Sequence, residues 1–286
     1  MKRIYVVWLC GWLLAGAVGV TDAATASQVR KTAEVGMLVT GTVEVNPNGS
    51  LHGYALDEPE KLPPVVVEVI GKTVSSWEFK LSGPITDVLK TKMSLRVVAK
   101  PLGDGQFKVA VEGSSFGEPG ARSDQVSSKD RARPLYPQAA INARVSGTVY
   151  LVLRVGRDGA VQEAIAEQVN LDQYDRDAAM ERYRKWLTDA SLQAARGWTF
   201  NTPSSGADKD NPYWVVRVPV NFNLRAWGAP QQKHPYGEWE AYIPGPRQTP
   251  PWIGKALASE SPDAMSEGDV GAGDARLQLV TPLGGA

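Results

Sequence analysis

The sequence predicts an α+β fold made of two patterned blocks of antiparallel strands with helices between them. Three observations carry this. Strand-like runs alternate in character, with Val149, Leu151, Leu153 and Val155 on one face and Thr148, Tyr150 and Arg154 on the other. Turn signals follow such runs: Asn46-Pro47-Asn48-Gly49 in the first block and Asp158-Gly159 in the second, the latter supplying the positive φ of a tight hairpin. Each block also contains an aromatic-x-aromatic step after a helical stretch, Trp77-Glu78-Phe79 and Trp198-Thr199-Phe200.

In chain order, residues 1–26 begin with Lys2 and Arg3, run apolar from Ile4 to Val20, and end in small residues around Ala23 and Ala26. This reads as a secretory signal peptide. The alternative is an uncleaved N-terminal anchor in the inner membrane, although the apolar run lies at the short end of the roughly 17 to 25 residues that span a bilayer. Cys10, the sole cysteine, lies in this leader, so disulfides and cysteine-based zinc sites are excluded from a mature chain. An exported chain with no cysteine points to the periplasm.

Residues 37–116 form the first block. Met37 to Val45 and Leu51 to Leu56 make a hairpin, Val65 to Val74 a Val-rich helical stretch, and Met93 to Ala99 and Gln106 to Glu112 two further strands. Gly41-Thr42-Val43 matches Gly147-Thr148-Val149, and the order hairpin, helix, W-x-F, strand recurs later, so the block reads as a degenerate internal repeat. An unrelated β-rich domain is the alternative. Residues 117–132, full of Gly, Ser and charge, read as a linker.

The second block, 133–225, opens on Leu135-Tyr136-Pro137, where Pro137 suits a helix's first turn because its missing N–H would be unpaired there. A short helix to about Val145, the Asp158-Gly159 hairpin and a helix from Leu187 to Arg196, stopped by Gly197, come next. Residues 170–186 look like an insertion that lengthens or doubles this helix. Asp172, Asp175 and Asp177 lack the Gly and distal Glu of a calcium loop and read as a solvated helix start. Val216, Val218, Val220, Phe222 and Leu224 then alternate with Arg217, Pro219, Asn221 and Asn223. Pro219 cannot donate to a ladder, which places this strand at a sheet edge. Residues 226–286, rich in Pro and Gly with seven acidic against four basic residues, are expected to be a largely disordered tail.

Taken in order, YPxxA, G-x-V-x-L, the DG turn, the Ala-rich helix ending in W-x-F and the closing V-x-V-P-V-x-F-x-L resemble the C-terminal domain of the TonB energy-transducer family over about 90 residues. The resemblance implies a three-stranded antiparallel sheet with helices on one face. It also implies that the last strand adds a short segment of an outer-membrane transporter to that sheet. Family transducers carry a polar residue in a permanent anchor, facing a motor complex, and a long Pro-rich spacer. Here Ile4 to Val20 holds no His or acidic residue, and a folded block stands in the spacer's place.

Composition argues against several functions. Thirty-one basic residues balance 31 acidic ones, with none of the basic excess of a nucleic-acid binder. His52 and His234 are the only histidines, and neither has an acid or nucleophile at recognisable spacing. No phosphate-cradling Gly loop, nucleophile elbow or zinc-helix motif occurs, and Glu58 and Glu60 beside Pro59 read as a solvated loop cluster. No enzyme, metal or cofactor is therefore expected. What remains is protein or peptide binding through the edge of the last strand. Arg217, Asn221 and Asn223 are expected to point outward, and Arg133, Tyr136, Val215 and Pro219 to complete the partner-binding surface. Three roles follow: a periplasmic module touching transporters or their regulators, an anchored energy transducer, or a structural envelope protein whose modules pair with each other as a homodimer.

Overall fold

Alternation and turns build the elements of the two blocks in the order expected, and further strands form outside them. The computed structural model describes residues 25–83, 85–103, 106–117, 123–206, 208–224, 235–254, 257, 260–265, 270–271 and 276–283. Residues 1–24 of the leader, with Cys10, and His234 in the tail lie outside them. Among the described residues no helix is long and apolar enough to cross a membrane.

After a five-residue helix α1 (Ala26–Arg30), strand β1 (Glu34–Val45) turns through Gly49 into β2 (Leu51–Leu56). Helix α2 (Pro64–Val74) starts on a proline, and although its Val and Ile content disfavours helix locally, Val66, Ile70 and Val74 are fully buried on one face. Burial outweighs propensity there. β3 (Phe79–Leu81), β4 (Leu89–Gly103) and β5 (Gln106–Phe116) follow, and the sheet pairs β2 with β1, β1 with β4 and β4 with β5, all antiparallel. Trp77, Phe79 and Phe116 pack edge to face, 5.5 to 5.9 Å apart, over this first core.

Part of the expected linker is a strand. β6 (Ser127–Asp130) pairs with β9 (Thr199–Asn201), because the backbone of Phe200 offers it an edge. Between them come α3 (Gln138–Asn142), β7 (Gly147–Gly156), β8 (Val161–Leu171) and α4 (Asp177–Ala195). The insertion thus lengthens one helix rather than adding another. At its start Asp175 accepts hydrogen bonds from the Arg176 amide at 2.7 Å and the Tyr183 hydroxyl at 2.8 Å. β10 (Tyr213–Phe222) closes a three-stranded antiparallel sheet in the order β10-β7-β8. Its inner face and α4 enclose a second core around Leu151, Leu153, Trp198, Phe200, Val216 and Val218.

The two hairpins share one local geometry. Gly49 and Gly159 both have positive φ, 87° and 79°, and each carbonyl accepts the amide of the following W-x-F phenylalanine, Phe79 at 2.8 Å and Phe200 at 2.9 Å. Asn48 and Asp158 each accept from the amide two residues on. Each hairpin is bulged beside the turn on its second strand, where His52 and Gln162 are the extra residues opposite Glu44/Val45 and Arg154/Val155. Counted back from each turn glycine, Gly41 corresponds to Leu151 rather than Gly147, so the register expected from the G-T-V match is shifted.

The tail departs most from expectation. β11 (Glu240–Tyr242) pairs with Glu34 to Gly36 of β1, the next residue Ile243 pairs with Leu171 of β8, and β12 (Leu277–Leu279) pairs with β3. The described tail residues are ordered because they satisfy their backbone on strand edges that already exist; composition measures only whether a segment can make a core of its own. Tyr236 and Trp239 also pack on the first core. The tail therefore joins the two blocks, and α1 does so in the other direction by placing Val29 in the second core.

Candidate partner-binding edge

Strand β10 forms because β-branched and aromatic residues fill every second position, and Trp214, Val216, Val218, Val220 and Phe222 are buried against the core. Its residues pair with β7 from Tyr213↔Gly156 to Phe222↔Gly147. On the far side of β10, the Arg217 amide donates to the Gly271 carbonyl at 2.7 Å, and the Gly271 amide donates to the Arg217 carbonyl at 3.0 Å. Arg217 therefore turns its backbone away from β7. Because bonding direction alternates along an antiparallel strand, Val215, Pro219 and Asn221 do the same, while Val216 and Val218 bond to β7. Pro219, which has no N–H, sits where no ladder bond is lost.

The side chains differ from expectation. Asn221 and Asn223 are exposed as expected, and Val215 is half-buried. Pro219 is buried, and Arg217 is 1% exposed rather than outward-pointing. Around Arg217 the outer face of this sheet is not solvated, because tail residues lie over it. Arg217 Nε and Nη2 grip the two carboxylate oxygens of Glu167 at 2.7 and 2.8 Å. Arg247 donates to the same carboxylate at 2.6 and 2.9 Å, the Leu257 carbonyl accepts from Arg217 at 2.5 Å, and Glu260 stands 3.4 Å away. Two arginines thus face two glutamates in a desolvated cluster whose formal charges cancel.

Glu167 is the extra residue of a β-bulge, since Tyr150 pairs with Gln168 and Leu151 with Ala166. The bulge re-aims its carboxylate across the sheet. Glu260 is pushed up to about 7: burial disfavours its charge and Glu167 repels it, while Arg217 and, more weakly, Arg247 pull the other way.

At the other end of the expected surface, Arg133 is exposed and Leu135 is 88% exposed. Tyr136 is half-buried, donates its hydroxyl to the Val145 carbonyl at 2.5 Å, and stacks edge-on against Phe222 at 5.3 Å. Tyr136 pins the end of β10, so this approach and the Asn221 and Asn223 end of the edge lie together. Arg217 and Pro219 share the strand but are covered.

A second charged cluster lies on the outer face of the first sheet. Arg96 is buried 3.4 Å from Asp263 and beneath the Tyr242 ring at 4.6 Å. Burial opposes its charge, yet Asp263 and the tyrosines hold its pKa above the ordinary value. The Tyr150 hydroxyl, on the outer face of β7, is pushed up by burial and by the nearby Asp263 charge. Neither cluster could be read from sequence, because they join Arg217 and Arg96 to residues about 40 to 170 positions away; the only local hints were the tail's acidic residues. Among the described residues no group of three or more His, Cys, Asp or Glu side chains could hold a metal ion, and His52 contacts Asn46 at 3.0 Å.

No protein-family model matches the chain, and no solved structure does. Among curated proteins it is similar to protein TonB of Xanthomonas campestris pv. campestris, in strain B100 and in strain ATCC 33913, at 36% identity over 102 residues in each case. The match covers 36% of this chain and 40% of each relative, so the chain spans well under half the length of the curated relatives it matches.

Proposed function

We propose that this chain is a TonB-related binding module of the cell envelope, which adds an extended segment of a partner protein to its second sheet along the outer edge of β10. The observation that carries this reading is the strand itself. β10 is terminal in its sheet, aims the backbone of Val215, Arg217 and Asn221 away from β7, and places Pro219 where no donor is needed. The likeness to protein TonB supports an envelope-transport setting, and the partner that fits it is a short segment of an outer-membrane transporter. Backbone hydrogen bonds would supply affinity, and Asn221, Asn223, Arg133 and Leu135 around the open end of the edge would supply selectivity. The chain acts by binding and is not an enzyme, and it works in the periplasm.

The first block we read as a degenerate copy of the second. Shared turn glycines, bulges and W-x-F hydrogen bonds support this reading, because matching several strained or specific backbone features is harder than matching a hairpin. In that copy β4 holds the position of β10, and β5 covers its outer edge. The copy therefore offers no equivalent edge, and partner binding is assigned to the second block.

Site-specific photo-crosslinking in the native host tests the binding reading. A photoreactive residue at Asn221 or Asn223 is expected to form an adduct with an outer-membrane transporter, whereas one at Lys185 on the exposed face of α4 is not. The reading is overturned if no outer-membrane adduct forms at the edge, or if Lys185 gives the same adduct.

A further inference from the structure

The edge just assigned to a partner is already in use. At Arg217 both outward backbone groups are bonded to Gly271, and the side chain of the same residue holds the Leu257 carbonyl and faces Glu260. Backbone and side chain are thus held by one stretch of the tail. Val270, next to Gly271, packs on the second core, and Met265 lies under Gly271 so closely that a Cβ there would meet its methyl at 2.4 Å. Ser261 and Ala264 rest against Gly113 of the first sheet, fixing the approach of this stretch from the other side.

We propose that the tail residues Leu257, Glu260 and Gly271 make the C-terminal segment a resident ligand of the β10 edge, which an incoming peptide must displace. The inference rests on the edge-binding reading above. Strand addition needs a regular ladder of bonds, and a peptide crossing the middle of β10 must use the Arg217 amide and carbonyl. Those atoms cannot serve two strands at once. A tethered occupant competes at an effective concentration set by its linkage and not by the amount of free peptide, so it lowers the apparent affinity by the fraction of time the edge is covered. The same contact shields an edge that would otherwise template association between chains.

Two features make the occupant displaceable rather than a permanent fourth strand. Among the described residues it makes a single two-bond bridge to β10, whereas β7 runs the strand's whole length. Its ionic anchor is also the peripheral one of the cluster, because Arg217 and Arg247 both keep Glu167 when Glu260 leaves.

The test uses the full chain and a fluorescent synthetic peptide copied from the periplasm-facing segment of an outer-membrane transporter of the same host. Gly271→Pro deletes the tail's donor to Arg217, and Glu260→Lys independently sets a third cation beside the two arginines; neither residue belongs to β10. Amide exchange at Arg217 reports tail release in each variant without reference to peptide. Release with peptide affinity raised about tenfold, equivalent to about 1.4 kcal/mol, is expected for both. In the unaltered chain, peptide binding is expected to speed exchange at Gly271. Released variants that bind the peptide no better than the unaltered chain would overturn the resident-ligand proposal while leaving edge binding intact. No binding by any of the three would overturn edge binding, and the proposal with it.

Discussion

At Arg217 a buried cation needs carboxylates, and the carboxylates it finds come from a bulge on β8 and from the tail. Removing the cation leaves Glu167 buried with Arg247 alone. Arg217→Met is therefore expected to lower stability by about 3 kcal/mol, read from urea unfolding of the full chain. Glu260 behaves oppositely to a stabilising carboxylate. Its ordinary value of 4.5 is raised to about 7 in the fold, so between those values the folded chain holds a proton that the unfolded chain has released. Its contribution to stability is present below 4.5 and is lost as pH rises toward 7. Arg217 amide exchange, corrected for its intrinsic rate, is expected to be faster at about pH 8 than at about pH 6, and Glu260→Gln to flatten that difference. An equal pH response in both chains would contradict this assignment.

Among the elements, the hairpin turns are the most sharply specified. A Cβ at Gly159 would stand 2.2 Å from the Phe200 carbonyl oxygen, and one at Gly49 2.1 Å from that of Phe79, both at positive φ. Gly159→Ala is expected to cost more than about 2 kcal/mol, seen as a lowered urea midpoint, because φ strain and a backbone clash add. A cost under about 0.5 kcal/mol would contradict the turn geometry. These elements were legible in the sequence: alternation, the DG pair and W-x-F are local signals, and Pro219 alone marked β10 as an edge. The burial of Arg217 was not legible. An alternating strand says only that Arg217 leaves the core face, and whether that face meets water depends on a segment about 40 to 55 residues further along. The bulge at Glu167 was hidden as well, since β8 was read from the Asp158-Gly159 turn and a turn does not fix the pairing eight residues further on.

For the whole molecule, the tail is the connecting element. It adds β11 to the first sheet and meets β8 one residue later, crosses the outer faces near Arg96 and Arg217, and returns β12 to β3. Its composition suggested disorder because it lacks the apolar density for a core; composition is blind to a strand that borrows another sheet's edge. Leu277 is buried in the first core, so Leu277→Ala is expected to destabilise that block by about 2 to 3 kcal/mol, with the loss followed by exchange of the β3 amides. The tail thus touches β10 at Arg217, through Gly271, and the first sheet at Gly113, through Ser261 and Ala264.

Edge addition at β10 is tested most directly by residue-level amide exchange of the full chain with and without the transporter-segment peptide. New protection is expected at Val215 and Asn221, whose amides face away from β7, while Val216 and Val218, bonded to β7, stay as they were. Saturating peptide that protects no outward amide of β10, or that protects residues elsewhere instead, would contradict it.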